Sequence, residues 1–564
     1  MRVLSLMIAE NRPWFSAWPE DVPKSIKTGV ALHEILERAS KSYPEKVAIA
    51  FSDREITFQD LNLFSDEFAA ALIAFGVKKN DRVAVFLPNV PQFVITYFAT
   101  LKIGAVVTAI TPLLKEREIE HQLSDSEAAT IVTLDSLYPI VRKIWPRTSL
   151  KRIVVTGLYE YASQPTVHSS APELNAPVYS FQKLLEKNTE AKPPKIAVNA
   201  EEDLAALQYT GGTTGRAKGA MLTHANLVSN TLAFSAWIKG TVGDETFLTA
   251  LPLFHIYGMT TSMNVPINLA AKIVLLPRFD PLIALEKIQQ HKVTVFCGVP
   301  TMYSLLLANP NIRQYDLASI RVCISGASAL PPHVQMRFME ITGGFLAEGY
   351  GLTEASPVTH CSPVDRTMKK VKAGSIGLPL PDTDARIVDV ENGVRTLQTG
   401  LIGELAVKGP QVMKGYWKNP GETELVLRDG WLLTGDLGRM DEDGYFYITD
   451  RKKDLIKFKD YSVYPREIED VLYEHQAVKL CAVIGKPDTI WGEVPKAFIV
   501  LKDNESATEL ELMEFVREKL ASFKNIQEVE FRKELPLSSA GKVLRRVLKD
   551  EEIRLFDAGH PNPT

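Results

Sequence analysis

The segment Tyr209-Thr-Gly-Gly-Thr-Thr-Gly-Arg-Ala-Lys-Gly219 holds the residue types that a polyphosphate needs. Gly211, Gly212, Gly215 and Gly219 have no Cβ, so backbone N–H groups there can approach an anion closely. Thr210, Thr213 and Thr214 add hydroxyl donors, and Lys218 adds charge. The order differs from the P-loop of nucleoside triphosphatases, which sets Lys and then Ser or Thr directly after its last glycine. Here Lys218 stands three residues past Gly215 and precedes another glycine. A flexible surface loop would share the glycines and threonines. The position directly after the short apolar run 204–209 favours a phosphate cradle.

Other residues offer complementary chemistry. In EGYGLTE (348–354) a hydroxyl, Thr353, stands beside a carboxylate, Glu354, at a glycine-flanked turn. One carboxylate together with phosphate oxygens is a sufficient anchor for hydrated Mg²⁺. Asp436 in TGDLG could accept two ribose hydroxyls, although aspartates in turns often do no more than stabilise the turn. His255 lies in the apolar run LPLFHIYG (251–258), a setting typical of a core histidine. Lys542 follows a glycine in SAGKVLRR, and a cation on a mobile tip can stabilise charge building on a phosphate. With Arg545 and Arg546 it could equally form a basic surface cluster. No G-x-S-x-G elbow is present, and nothing calls for a nucleophilic Ser or Cys.

Composition sets the wider bounds. At 564 residues the chain is too long for one ordinary domain, and division by about 150 suggests three to four. A net charge of −4 leaves no footprint for nucleic acid and no acidic tail. The four cysteines show no C-x-x-C spacing, which fits neither a disulfide framework nor a thiolate zinc site and points to a reducing compartment. The N-terminal apolar stretch is broken by Glu10 and Arg12 before a signal-peptide core could form. Two uncharged stretches, 83–101 and 247–271, are long enough to span a membrane. Their prolines, asparagines and His255 argue against it, so the expected location is cytoplasmic.

The elements that must position these residues follow from apolar patterning. RVAVFLP (82–88), ATIVTL (129–134), RIVVTG (152–157), KIVLLP (272–277), VTVFCGVP (293–300) and RVCISG (321–326) are short β-rich runs between helical stretches. Such runs imply parallel sheets covered on both faces. The stretches 163–177 and 191–195 read as loops. After 375 the strands 385–390, 403–409 and 444–450 stand near turn signals and predict a small antiparallel or barrel-like unit. Beyond Asp450 come a helix starting at Pro465 and a second helix with a Thr508/Glu511 capping box, interleaved with strands. The expected fold is α/β: a large N-terminal body of two helix-covered β-sheet subdomains plus a small distorted β-barrel, with a smaller mobile α+β C-terminal domain. The expected domains are 1–450 and 451–564.

The glycine-threonine loop resembles the signature loop of the adenylate-forming superfamily, which includes acyl-CoA synthetases, peptide-synthetase adenylation domains and beetle luciferases. LPLFHIYG, EGYGLTE, WLLTGDLG (431–438), DRKKDLIKFKD (450–460) and LSSAGKVLRR (537–546) follow in the family's order. RPWFSAWPEDVP (12–23) is similar to the lead-in of fatty acyl ligases, and prokaryotic long- or medium-chain fatty acyl-CoA ligases are the best match. The resemblance implies ATP, Mg²⁺ and coenzyme A as reactants with a fatty acid. It assigns the metal to Glu354 and Thr210, and a phosphate contact to Thr353. It places nucleotide contacts at Thr210, Gly211, Gly212, Thr213, Thr214, Gly215 and Lys218, and at Glu348, Gly349, Tyr350 and Gly351. Tyr350 meets the adenine face opposite Gly326, Ala327 and Ser328. It gives the ribose to Asp436, with Arg451 beside it. His255 then positions the acyl substrate, and the stretch 247–271 forms one wall of an apolar pocket. Lys453 matches the hinge, Lys457 meets the nucleotide in one orientation of the small domain, and Lys542 serves adenylation.

Two departures stand out. Asp460 occupies a position that is usually glycine beside the pantetheine passage, and Pro536-Leu537-Ser538 replaces a commoner Pro-Lys-Thr run. Asp460 keeps open an enzyme that stops at acyl-AMP or delivers to a carrier protein. An aryl- or short-chain-acid ligase and a non-catalytic acyl-binding or membrane-associated protein complete the alternatives, and peripheral membrane association of the ligase itself stays open. The sequence does not decide between monomer and homodimer.

Overall fold

The structure is a computed structural model, and it describes residues 12–162, 177–210, 217–365, 368, 370–458, 461–488, 491–538 and 543–559. The loop 163–176, the loop glycines and threonines 211–215, Asp460 and Lys542 lie outside the described residues. The chain divides into two compact units. One comprises Met1–Asp384, Val407–Leu432 and Asp443–Tyr445. The other comprises Ala385–Ala406, Leu433–Glu442 and Phe446–Thr564.

Two sheets organise the first unit. An eight-stranded sheet runs in the order Gly415–Tyr416, Lys218–Thr223, Leu204–Thr210, Val106–Ala109, Arg82–Phe86, Thr130–Leu134, Arg152–Thr156 and Val178–Ser180. From Leu204–Thr210 to Val178–Ser180 every pairing is parallel. Burial on both faces explains why these strands read as unbroken apolar runs. The order of the nine-stranded sheet is Leu378–Pro379, Val358–Cys361, Phe345–Gly351, Val322–Ser325, Val295–Gly298, Thr246–Thr249, Lys272–Leu275, Val47–Phe51 and Arg54–Thr57. Its six central strands are parallel. Antiparallel strands finish both ends.

The uncharged stretches resolve into short elements. The first becomes the strand Arg82–Phe86 and the helix Pro91–Lys102, which is buried along all of its length. A helix buried all round has no need of a polar face. The second becomes the strand Thr246–Thr249 and a helical run of α, π and α turns, Ile256–Met259, Thr260–Asn264 and Val265–Asn268. Among the described residues no helix is long and apolar enough to cross a membrane. Cys297, Cys323, Cys361 and Cys481 are all free and buried, and burial pushes the Cys297 thiol up to about 12.

The second unit holds a sheet of Tyr461–Val463, Ile456–Phe458, Gly492–Leu501 and Val478–Asp488, with Glu528–Phe531 added alongside Gly492–Leu501. Helices Pro465–Tyr473 and Glu509–Lys519 pack apolar residues such as Ile468, Leu472, Leu512 and Val516 into its core. Pro465 opens the first helix, and the capping box of Thr508 and Glu511 opens the second, as the sequence predicts. A further five-stranded sheet includes Trp431–Met440, which pairs antiparallel with Phe446–Arg451.

Candidate active site

Parallel α/β sheets gather ligand-binding residues at the carboxyl ends of their strands. In the nine-stranded sheet four adjacent strands end near the residues singled out from sequence. Thr246–Thr249 runs toward His255, Val295–Gly298 ends at Gly298, Val322–Ser325 leads into Gly326, Ala327 and Ser328, and Phe345–Gly351 carries Glu348, Gly349, Tyr350 and Gly351. Ser325 and Glu348 are register partners. Glu348 is buried, and its Oε2 accepts from the N–H of Leu330 at 3.3 Å, which closes the turn carrying Gly326, Ala327 and Ser328. Tyr257 sits beneath that turn. Its phenol lies 3.0 Å from the carbonyl of Ile324, and a Cβ on Gly326 would meet its ring at 3.0 Å.

His255 caps the short helix Ile256–Met259, with Nδ1 accepting from the N–H of Tyr257 at 3.2 Å. Burial pushes its imidazole down to about 4, so it is neutral near pH 7. The loop leading to it is held by Asn89, a residue that sequence did not flag. The Asn89 side chain donates to the carbonyl of Leu251 at 2.9 Å and accepts from the N–H of Leu253 at 2.8 Å. Nothing in the sequence near 251–255 points to a partner more than 160 positions earlier.

Thr210 and Lys218 are register partners at the ends of adjacent strands, so they stand on either side of the mouth of the glycine-threonine loop. Lys218 is fixed at that mouth. Its Nζ lies 2.7 Å from Oε2 of Glu422 and 4.6 Å from the ring centre of Tyr416. Glu354 lies in the short turn Thr353–Ala355, and its Oε1 accepts from the phenol of Tyr416 at 2.7 Å. Tyr416 and Glu422 were not among the residues predicted from sequence. The strand Gly415–Tyr416 is only two residues long, which leaves no periodic signal to read.

Among the described residues no group of three or more His, Cys, Asp or Glu side chains could hold a metal ion. Glu354 stands as a single carboxylate with one oxygen engaged by a neutral donor, a donor set that fits Mg²⁺ shared with phosphate oxygens.

The second unit holds the remaining predicted residues that are described. Asp436 and Arg451 are partners on adjacent strands, with Arg451 Nε 3.0 Å from Asp436 Oδ1. The Asp436 N–H donates to Oγ1 of Thr434 at 3.1 Å. Lys453 is exposed just past Arg451, and Lys457 is exposed on the strand Ile456–Phe458, its N–H donating to Glu493.

Residues 36–417 match the AMP-binding enzyme model, and residues 467–542 match the AMP-binding enzyme C-terminal domain. The chain belongs to the AMP-binding enzyme family. It is 45% identical over 557 residues to a long-chain-fatty-acid–CoA ligase of Bacillus subtilis (strain 168), covering 96% of this chain and 98% of that one. A long-chain-fatty-acid–CoA ligase of Salmonella typhimurium is 39% identical over 559 residues, with the same coverage. The structure of ATP-bound MatB from Rhodopseudomonas palustris aligns with a TM-score of 0.83 at 30% identity, covering 93% of this chain and 100% of that one. These matches agree with the fold and the family expected from the sequence.

Proposed function

We propose that this chain is an ATP-dependent fatty acid–CoA ligase acting in two steps. A carboxylate oxygen of the fatty acid attacks the α-phosphorus of ATP, the bond to pyrophosphate breaks, and acyl-AMP forms. The sulfur of coenzyme A then attacks the acyl carbonyl carbon, the bond to AMP breaks, and the thiol proton passes to solvent. The observation that carries the proposal is the 45% identity to a long-chain-fatty-acid–CoA ligase across nearly the whole of both chains.

Phosphoryl chemistry of this kind asks the protein for positioning and electrostatic stabilisation more than for covalent help. Thr210 and Lys218 would cradle the phosphates with the loop between them. Gly326, Ala327, Ser328 and Tyr350 would hold the adenine, and Asp436 with Arg451 the ribose. Mg²⁺, held by Glu354 and Thr210, would neutralise charge on the phosphate oxygens. A neutral His255 orients the carboxylate without adding a charge. In this scheme residues 1–450 form the adenylation body and 451–564 a small domain that turns about Lys453. That turn brings Lys542 to the first step and Lys457 to the second. The cytoplasm supplies ATP and coenzyme A and keeps the thiols reduced.

Pyrophosphate release measured across short- to long-chain and aromatic carboxylates, with and without coenzyme A, tests the assignment. Turnover is expected with long-chain acids and AMP formation only when coenzyme A is present. Failure to release pyrophosphate with every acid of the panel would overturn it. Asp460 supports one second reading, in which another thiol accepts the acyl group. A carrier protein that outcompetes coenzyme A would establish that reading. Lys542→Ala should abolish acyl-AMP formation and leave thioester formation from supplied acyl-AMP intact; equal loss of both steps would refute the division of labour.

A further inference from the structure

A carboxylate that shares Mg²⁺ with substrate oxygens must present one oxygen in a fixed direction, because Mg²⁺ demands near-octahedral geometry. A glutamate side chain left to itself samples many rotamers and loses that freedom each time the cation binds. One short segment removes this freedom from Glu354. The N–H of Met413 donates to the Glu354 carbonyl at 2.8 Å. Three residues later the phenol of Tyr416 donates to Glu354 Oε1 at 2.7 Å.

Tyr416 is itself held from several directions. It is 6% exposed, so its ring has little room to swing. Its N–H donates to Thr423 Oγ1 at 2.9 Å, and the strand Gly415–Tyr416 pairs with Ala220 and Met221. The N–H of Trp417 donates to the carbonyl of Gly219 at 2.8 Å. The face of the Tyr416 ring carries the ammonium group of Lys218 at 4.6 Å. A cation over a tyrosine face is attracted by the ring quadrupole, so the ring seats Lys218 while its hydroxyl seats Glu354.

We propose that Tyr416 is a positioning residue for the divalent cation: it holds one oxygen of Glu354 so that the other is presented to the metal, and it ties that orientation to Lys218. The proposal rests on the assignment of Glu354 as the cation ligand. A phenol donating to a carboxylate makes a charge-assisted bond. Partners that orient metal ligands from behind typically change metal affinity by about 10–100-fold when removed.

The test is calorimetric titration of the full-length protein with ATP, once in EDTA and once in excess Mg²⁺. The wild type is expected to bind ATP more tightly with Mg²⁺. Tyr416→Phe keeps the ring under Lys218, so its Mg²⁺-free affinity should match the wild type. Its Mg²⁺-dependent gain should shrink by about tenfold, and half-saturating Mg²⁺ for pyrophosphate release should rise by a similar factor. The kcat at saturating Mg²⁺ should fall far less. Thr423→Val, which loosens the Tyr416 backbone, should shift the same quantity in the same direction by a smaller factor. Glu354→Gln is the reference and should lose the gain altogether. If Glu354→Gln retains it, the assignment of Glu354 is wrong and the proposal falls with it. If Glu354→Gln loses the gain while Tyr416→Phe and Thr423→Val keep it in full, Tyr416 merely packs against the site and the proposal alone is overturned.

Discussion

Arg451 Nε lies 3.0 Å from Oδ1 of Asp436, and the two residues face each other across paired antiparallel strands. The guanidinium occupies one carboxylate oxygen and fixes the side chain's direction. With the ribose assigned to Asp436 as proposed, Asp436→Ala should raise the Kd for ATP by about 10–100-fold, the range expected for lost hydrogen bonds to a charged group. Arg451→Lys should cost less but still measurably, because an ammonium group cannot reproduce the planar fork. Equilibrium ATP binding to both variants checks this, and an unchanged Kd for Asp436→Ala would remove Asp436 from the site.

The glycines of EGYGLTE differ sharply in what they tolerate. A Cβ at Gly351 would lie 2.0 Å from the Pro357 carbonyl oxygen, a backbone atom that cannot swing away. At Gly349 the nearest atom is a methyl of Ile324 at 3.0 Å, which can shift. Gly351→Ala should destabilise the protein by about 3 kcal/mol or more and Gly349→Ala by about 1 kcal/mol. Urea unfolding of the two variants should show that order.

Burial holds His224 down to about 3 and His360 down to about 3, against 6.5 for an ordinary histidine. Both side chains are fully buried. Below pH 6.5 the unfolded chain takes up protons that the folded chain refuses. These residues therefore contribute no penalty above that pH, and stability falls as pH drops from 6.5 toward 3. Each adds a slope of about 1.4 kcal/mol per pH unit within the window. His224→Gln should flatten the urea midpoint between pH 6 and 4 by about one proton's worth. A slope equal to that of the wild type would contradict the burial argument.

The bridge from Asn89 to Leu251 and Leu253 makes a separate demand. Asn89→Ala leaves a buried carbonyl and a buried N–H unpaired, at about 1–3 kcal/mol each. The loop to His255 should loosen as well, raising KM for the fatty acid more than KM for ATP. Denaturation and steady-state kinetics on one preparation separate the two effects.

Much of the fold is legible in local pattern. Runs such as RVAVFLP, RIVVTG and RVCISG become parallel strands because burial on both faces leaves them nothing polar to display. The helix Glu509–Lys519 begins where Thr508 and Glu511 cap each other. The antiparallel edges are harder to read. Val358–Cys361 carries a histidine, His360, and its partners are fixed by pairing rather than by alternation. The candidate site divides in the same way. The roles proposed for His255, Glu354, Lys218 and Asp436 are read from compact motifs. Tyr416 and Asn89 act through bonds to residues 62 and more than 160 positions away, and no local spacing encodes such bonds.

The four buried thiols have a practical consequence. Burial raises Cys297, Cys323, Cys361 and Cys481 alike, which keeps them protonated and out of reach of alkylating reagents in the folded protein. An enzyme proposed to handle a reactive thiol at every turnover thus presents almost no thiol chemistry of its own. That background is silent enough for a spectroscopic tag. One cysteine placed at an exposed site such as Leu510 could carry a dye without first stripping the native cysteines, and each half-reaction could then be followed in solution as it happens.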